Sequence, residues 1–413
     1  MLNILEERIK MSEKLLPKII IASTSPIPAV RGGAVETLTT MLIEANERNP
    51  HFRFLVFTTD VPEFDRVHYV NTELRTIKKT NEIFRLPFRI FNRLCRFLHI
   101  QFQFDLQAFR IAWAMHKEQC DYILVENHSL LFHEIRLTNR TNAKMIYHWH
   151  NGFQNDKFRE YAGRKYARYI LKNADLVLAV SQYIKERLSK DKYKDNIKVY
   201  YNAVDFHKFY PNLNIIDTRN QLQIGEKAIV FLYAGRMSEE KGLEKLLQAA
   251  SLLPQEMNYI LLIAGKKWFG TSSENEYFVR VKKIAHQIKN HIKFTGYIDN
   301  NEINKYYSAA DWTVVPSVCD EAFGMTALES IACGTPVLAA NSGGLPEVVK
   351  PGTGLLVSHG ENFVFDLAEE MKKIISGHVN VLPREEIAEA ARAEFKGALG
   401  YFNQFCELLK DNV

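Results

Sequence analysis

The chain has 413 residues, 46% of them apolar and 24% charged, with 53 basic against 48 acidic side chains. That composition excludes a disordered chain, a collagen-like repeat and a coiled-coil rod, and the length predicts two or three domains. A net charge of +5 on so long a chain gives no argument for nucleic acid as a partner.

Residues 1–17 read as an amphipathic lead-in; Glu6, Glu7, Arg8 and Lys10 within them do not suit a secretory signal. From Lys18 onward, short β-branched runs alternate with helical stretches. Strands are predicted at Ile19–Ala22, Phe52–Phe57, Tyr122–Val125, Met145–Trp149, Leu176–Val180 and Val199–Tyr201. A helix is predicted over Ala34–Glu47, where Val35, Leu38, Leu42 and Ala45 recur near helical spacing. A second series follows, with strands at Ile229–Tyr233, Tyr259–Ile263, Ile292–Phe294, Trp312–Val315 and Val337–Ala339. Helices at Leu243–Leu253 and Glu276–Ile288 lie between them. Continuous apolar strands alternating with helices predict parallel sheets covered on both faces.

The expected class is therefore α/β, with two doubly wound domains. The first spans 18–210 and the second 211–394, with the polar stretch Pro211–Lys227 at the seam. Residues 395–413 read as a final helix that crosses back to the first domain. Doubly wound sheets bind ligands at the carboxyl ends of their strands. The five cysteines, Cys95, Cys120, Cys319, Cys333 and Cys406, form no C-x-x-C pair, which suits a reducing, cytoplasmic compartment. No apolar run approaches the roughly 18 residues of a spanning helix.

Neither G-x-G-x-x-G after a strand nor G-x-x-x-x-G-K-[ST] occurs, which argues against a dinucleotide oxidoreductase and a P-loop NTPase. Three strand-end loops remain. Ala234–Gly242 sets Arg236 and Lys241 around a turn that opens a helix. These are either a diphosphate site, where cations and free N–H groups converge, or two solvated surface cations. Val315–Glu329 follows a strand and carries Gly324, Glu321 and Glu329. Eight helical residues would separate those two carboxylates by about 12 Å, too far for the pair of a retaining glycosidase, about 5–5.5 Å apart. They would hold different parts of one ligand, or face solvent. Ala332–Val337 and Asn341–Glu347 form the third region, where glycines permit tight turns near a ligand or serve the turn alone.

Together these pieces resemble the family 4 retaining glycosyltransferases of the GT-B fold. The matching residues are Gly32-Gly33, His150, Ser181, Asn202 to Asp205, Gly235-Arg236 with Lys241-Gly242, Glu321-Ala322-Phe323-Gly324 to Glu329, Cys333 to Val337, and Gly343-Gly344-Leu345-Pro346-Glu347. The likeness runs from about Lys18 to near the chain's end, strongest in the second half and thin between about 60 and 145. It implies two Rossmann-like domains facing a central cleft, with a nucleotide-diphosphate sugar bound by the second. Arg236 and Lys241 would stabilise the leaving diphosphate, Glu329 would hold the ribose hydroxyls and Glu321 the donor sugar. Backbone N–H groups of Phe323, Gly324, Met325 and Thr326 would bind sugar and phosphate. Gly33 would approach the diphosphate from the first domain. His150 would sit near the transferred sugar. No cofactor and no divalent metal would be required.

His148 and His150 alternate onto one strand face. His-x-His also suits a metal pair, but the sequence offers no evident carboxylate or cysteine partner. Two departures stand out: Gly265–Gly270 replaces a Gly-x-Gly-like turn near the expected base, and Ala203 stands where Gly is usual. Residues 75–117 carry nine basic residues, two acids and interleaved aromatics. Such a segment suits an anionic membrane surface or a phosphate-bearing acceptor, or else aromatics in the core under a solvated basic face. The expected function is retaining transfer of a hexosyl or N-acetylhexosaminyl group to a glycan or lipid-linked acceptor in cell-surface polysaccharide synthesis. The alternatives are a non-catalytic sugar-binding or scaffolding protein of the same fold, or a nucleotide-sugar epimerase.

Overall fold

A computed structural model describes residues 16–29, 33–61, 68–97, 103–139, 141–151, 157–189, 195–212, 214–265 and 276–413. Residues 1–15 of the lead-in, Gly32 and Lys266–Gly270 lie outside them. The chain divides into two compact units, one of residues 1–201 with 398–413, the other of residues 202–397.

The strands of the first unit are β1 (Lys18–Ala22), β2 (Arg53–Thr59), β3 (Thr72–Ile77), β4 (Tyr122–Glu126), β5 (Lys144–Trp149), β6 (Leu176–Ala179) and β7 (Ile197–Val199). Those of the second are β8 (Ile229–Ala234), β9 (Tyr259–Ala264), β10 (Ile292–Gly296), β11 (Trp312–Val315), β12 (Val337–Asn341) and β13 (Gly354–Ser358). Among the helices are α1 (Ala34–Arg48), α2 (Glu82–Phe97), α3 (Leu106–Met115), α4 (Leu243–Ser251), α5 (Met325–Ala332) and α6 (Ala398–Asn412).

Seven strands form the first sheet in the order β3-β2-β1-β4-β5-β6-β7, and six form the second in the order β10-β9-β8-β11-β12-β13. Every pairing is parallel. Central strands are covered on both faces, so Ile19, Ile20, Ile21 and Ala22 are all buried, and a continuous apolar run announces them. The edge strands β3, Thr-Glu-Leu-Arg-Thr-Ile, and β13, Gly-Leu-Leu-Val-Ser, have half-exposed residues, and neither is among the predicted strands. In the second unit Leu243, Leu246 and Leu247 of α4 join Phe231, Tyr259, Leu261 and Ile263 in one core.

Helix α6 packs on α1 within the first unit. Tyr401 stacks on Tyr200 with ring centroids 4.2 Å apart, and Phe405 meets Phe52 edge-on. Tyr200 Oη donates to the Tyr401 carbonyl at 3.0 Å. Such aromatic pairs contribute about 0.5–1.5 kcal/mol each beyond their burial.

In each sheet the strand order reverses direction once, between β1 and β4 and between β8 and β11. Loops leaving the carboxyl ends of those neighbours diverge, which is where open α/β sheets hold ligands.

Candidate functional site

In the second unit, the loops after β8, β11 and β12 meet. Lys241 Nζ, on the β8 loop, donates to Glu321 Oε1, on the β11 loop, at 2.7 Å across 80 residues of sequence. Ser317 Oγ donates to the same oxygen at 2.5 Å. Backbone contacts bring the loops this close. Val318 N–H donates to the Glu240 carbonyl at 3.0 Å, and Gly344 N–H donates to the Glu321 carbonyl at 2.7 Å. Two glycines are required. A Cβ on Gly242, at φ +72°, would lie 1.8 Å from the Pro316 carbonyl oxygen. One on Gly343, at φ +60°, would lie 2.0 Å from the Glu321 carbonyl oxygen.

Arg236 sits on the same β8 loop, its side chain half exposed, and pairs with Glu240 at 3.0 Å. Tyr233 Oη donates to the Arg236 carbonyl at 2.7 Å and ties that loop to its strand. Helix α5 starts at Gly324, which has φ +114° and provides no side-chain cap. Met325 and Thr326 therefore present first-turn N–H groups that have no intrahelical acceptor. Thr326 Oγ1 reaches back to the Ala234 carbonyl at 3.4 Å. Phe323 is buried against Phe395, so only its backbone is available to a ligand. Two cations and the positive end of a helix thus share one set of loops, an arrangement that suits a diphosphate.

Glu329, one helical face further along α5, engages a different partner. It accepts from Tyr307 Oη at 2.8 Å. Burial raises its pKa to about 7, against the opposing effects of the Tyr307 hydrogen bond and Lys208. Glu321 and Glu329 are therefore distinct in environment: one is held by Lys241 and Ser317, the other by Tyr307.

The first unit holds the other two predicted residues. Gly33 begins α1, and a Cβ there would lie 2.1 Å from Glu36 Oε2, so this carboxylate folds over the glycine. His150, just beyond β5, is buried together with His148 and Glu126. Glu126 ends β4 and pairs in register with His148. Its Oε2 lies 3.1 Å from His150 Nε2 and 3.1 Å from His148 Nδ1, and the two ring nitrogens are 2.9 Å apart. Glu126 is the carboxylate partner that the His-x-His pattern lacked in the sequence. Burial disfavours its charge, but His148 and hydrogen bonds from both imidazoles outweigh this and hold its pKa well below the usual range. Burial first, then His148, takes His150 down to about 4.

Among the described residues of 75–117, Phe84, Phe91, Phe97 and Trp113 are exposed, whereas Phe88, Phe104 and Phe109 are partly buried against one another. Helix α2 is tied down by Cys95, by Phe88, 4.9 Å from Phe104, and by Asn92, which bonds the Phe104 backbone twice. Ile83, Phe84, Leu86, Ile90, Leu94 and Phe97 are each more than half exposed. Among the described residues no helix is long and apolar enough to cross a membrane, and the five cysteines are free thiols.

Comparison with known proteins matches residues 31–208 to the model of Glycosyltransferase Family 4 and residues 214–394 to that of Glycosyl transferases group 1. A lipopolysaccharide 1,2-N-acetylglucosaminetransferase of Salmonella typhimurium is 31% identical over 281 residues, covering 66% of this chain and 67% of that protein. Among solved structures, sucrose-phosphate synthase from Thermosynechococcus elongatus superposes with a TM-score of 0.76 at 22% identity, over 96% of this chain and 98% of that one. Anabaena HepE in complex with UDP and glucose superposes with a TM-score of 0.73 at 22% identity, over 96% and 100%. The structural likenesses support the GT-B fold.

Proposed function

The chain belongs to the family 4, group 1 glycosyltransferases, and on that premise we propose that it transfers a hexosyl or N-acetylhexosaminyl group, with retention, from a nucleotide-diphosphate sugar. The acceptor is a glycan or lipid-linked intermediate of cell-surface polysaccharide synthesis. One observation carries the reading: Lys241, Glu321 and the first turn of α5 converge at the switch point between β8 and β11.

Lys241 and Arg236 neutralise the diphosphate as the sugar leaves, and the α5 N–H groups hold phosphate or sugar oxygens. Glu321, paired with Lys241, accepts from a hydroxyl of the donor sugar. Glu329 accepts from the ribose. With the diphosphate held by side-chain cations and a helix end, transfer needs no added Mg²⁺ or Mn²⁺. A UDP-sugar is the first donor to try, because the HepE relative binds UDP and the Salmonella relative transfers N-acetylglucosamine. Incubation with UDP-glucose and UDP-N-acetylglucosamine should release UDP, and an acceptor should receive the sugar with its anomeric configuration kept. Inversion would overturn the mechanism, and absence of turnover with every nucleotide sugar would favour the non-catalytic alternative.

The same reading extends to where the acceptor is met. At about 100° per residue, the exposed apolar side chains of α2 form one arc, and Arg85, Arg89 and Arg93 fall beside it. An apolar face bordered by cations suits the headgroup layer of an anionic bilayer, at roughly 1 kcal/mol per basic residue. The enzyme then works as a peripheral protein on the cytoplasmic face. Co-sedimentation with phosphatidylglycerol vesicles should be strong at low salt and lost in Arg85→Glu/Arg89→Glu/Arg93→Glu. Equal binding to neutral vesicles, or concentration-dependent dimerisation abolished by Phe84→Ser/Ile90→Ser, would overturn it.

A further inference from the structure

The carboxyl end of β4 holds His150 by both its ring and its backbone. Glu126 Oε2 faces His150 Nε2 at 3.1 Å. Asn127, next in the chain, accepts from the His150 N–H through Oδ1 at 3.0 Å and donates its own N–H to the His148 carbonyl at 3.0 Å. It does so at φ +49°, in the left-handed region that residues other than glycine seldom enter and asparagine tolerates best. Such a backbone persists where its surroundings enforce it, and it gathers at functional sites.

The contact with Glu126 decides which ring nitrogen of His150 carries the proton. The carboxylate is ionised, so it accepts hydrogen bonds and donates none. His150 is neutral near pH 7, because burial, then His148, takes its pKa down to about 4. A neutral imidazole has one N–H and one lone pair. With the N–H on Nε2, the ring donates to Glu126. With the N–H on Nδ1, a lone pair would face the carboxylate charge at 3.1 Å, with almost no solvent to screen it. His148 does not reverse this. Its Nδ1 lies 2.9 Å from His150 Nε2 and 3.1 Å from Glu126 Oε2. It either shares the His150 proton or donates to the same oxygen itself, and both leave that proton on Nε2.

His150 Nδ1 is then a lone pair. It is buried, and none of the described residues donates to it. A buried acceptor without a partner is costly unless a ligand supplies the donor. In a chain that transfers sugar, that donor is a hydroxyl group. We propose that Glu126 is a positioning residue for transfer: it holds His150 as the Nε2-protonated tautomer, so that Nδ1 accepts a hydrogen bond from a sugar hydroxyl, and Asn127 anchors the same histidine through its backbone. This role rests on the transfer reading of the chain and on the expected place of His150 near the sugar.

Two measurements on the full-length protein test it. ¹⁵N spectra of protein labelled at its histidine nitrogens, assigned by comparison with His150→Gln, report the tautomer without any donor. Wild type should show His150 protonated on Nε2. Glu126→Gln keeps the shape of the side chain but can donate from its amide, so the Nδ1-protonated form should appear. With UDP-glucose or UDP-N-acetylglucosamine, whichever the wild type uses, Glu126→Gln should lower kcat about tenfold, the worth of one hydrogen bond. Release of UDP without acceptor separates the two sugars. An equal loss there assigns the hydroxyl to the donor, and a loss confined to transfer assigns it to the acceptor. Asn127→Gly accommodates the left-handed backbone and loses Oδ1, so kcat should fall about two- to tenfold with the tautomer unchanged. Should Glu126→Gln fail to fold, the wild-type tautomer and Asn127→Gly still decide. Wild type protonated on Nδ1, or folded Glu126→Gln with wild-type kcat, would overturn the role of Glu126. Wild type that turns over no nucleotide sugar would overturn the transfer reading instead, and the spectrum still reports the tautomer.

Discussion

The two clusters of the molecule place carboxylates in opposite circumstances. Glu126 in the first unit is sealed among two imidazoles, with almost no solvent exposure. Glu321 in the second unit is held by Lys241 and Ser317 on loops that remain partly exposed. The difference is one of dielectric. A sealed carboxylate depends on its immediate neighbours for stability, so removing a partner leaves a charge uncompensated. A partly solvated pair can be opened at little cost and is free to exchange its partner for a ligand. The first arrangement serves the fold around His150, and the second serves binding and chemistry.

The strongest way to break this comparison is to remove Glu126. Glu126→Ala should cost about 3–5 kcal/mol of stability, as expected for a broken buried pair. Urea unfolding curves measure it, and a loss under about 1 kcal/mol would mean the cluster is not energetically coupled.

In the second unit the large effects should appear in rate. Lys241→Ala and Arg236→Ala should each lower kcat by roughly 10²–10³, worth about 3–4 kcal/mol in the transition state, with Tm close to wild type. Near-normal turnover in either variant would remove that residue from the leaving-group site.

Glu329 sharpens the comparison through pH. Its folded pKa is raised from the carboxylate value to about 7 by burial. The folded state therefore holds the proton more tightly than the unfolded chain. This contribution is complete below pH about 4.5, declines as pH rises and is gone above about 7, a change on the order of 3 kcal/mol. Glu329→Gln cannot titrate, so wild type should lose stability relative to it between pH 5 and pH 8. Parallel denaturation curves at the two pH values check this, and parallel behaviour of the two proteins would count against a raised Glu329.

The smallest effect belongs to Arg236–Glu240, where both side chains are nearly half exposed. Glu240→Ala should change stability by about 0.2–1 kcal/mol, within the range of solvated ion pairs. A loss as large as that of Glu126→Ala would erase the contrast between sealed and solvated carboxylates.

Much of the architecture was legible because parallel strands buried on both faces leave continuous apolar runs. Ile19–Ala22, Ile229–Tyr233 and Trp312–Val315 are such runs, and each is a central strand. Thr72–Ile77 and Gly354–Ser358 were missed; both sit at sheet edges, where side chains meet water and the apolar run is broken or short, although the edge strand Ile292–Gly296 was legible. The loop motifs of the second unit were legible for a different reason. Gly242 and Gly343 stand where another backbone passes too close for any Cβ, and contiguous stretches of sequence carry that requirement.

What the sequence alone determined was local: which runs are central strands, which turns need glycine, and which charged residues stand at strand ends. Tertiary structure decided which of those residues meet. Glu126 reaches His150 across 24 residues, because β4 and β5 are neighbours in register. Lys241 reaches Glu321 across 80, because the sheet order makes β8 and β11 neighbours. Tertiary structure also decided that the apolar arc of α2 faces outward. A helical wheel divides a helix into faces, but only the packing of Phe88, Asn92 and Cys95 decides which face the protein covers. Periodicity is a property of neighbours along the chain, while register, loop convergence and exposure depend on residues far apart in it.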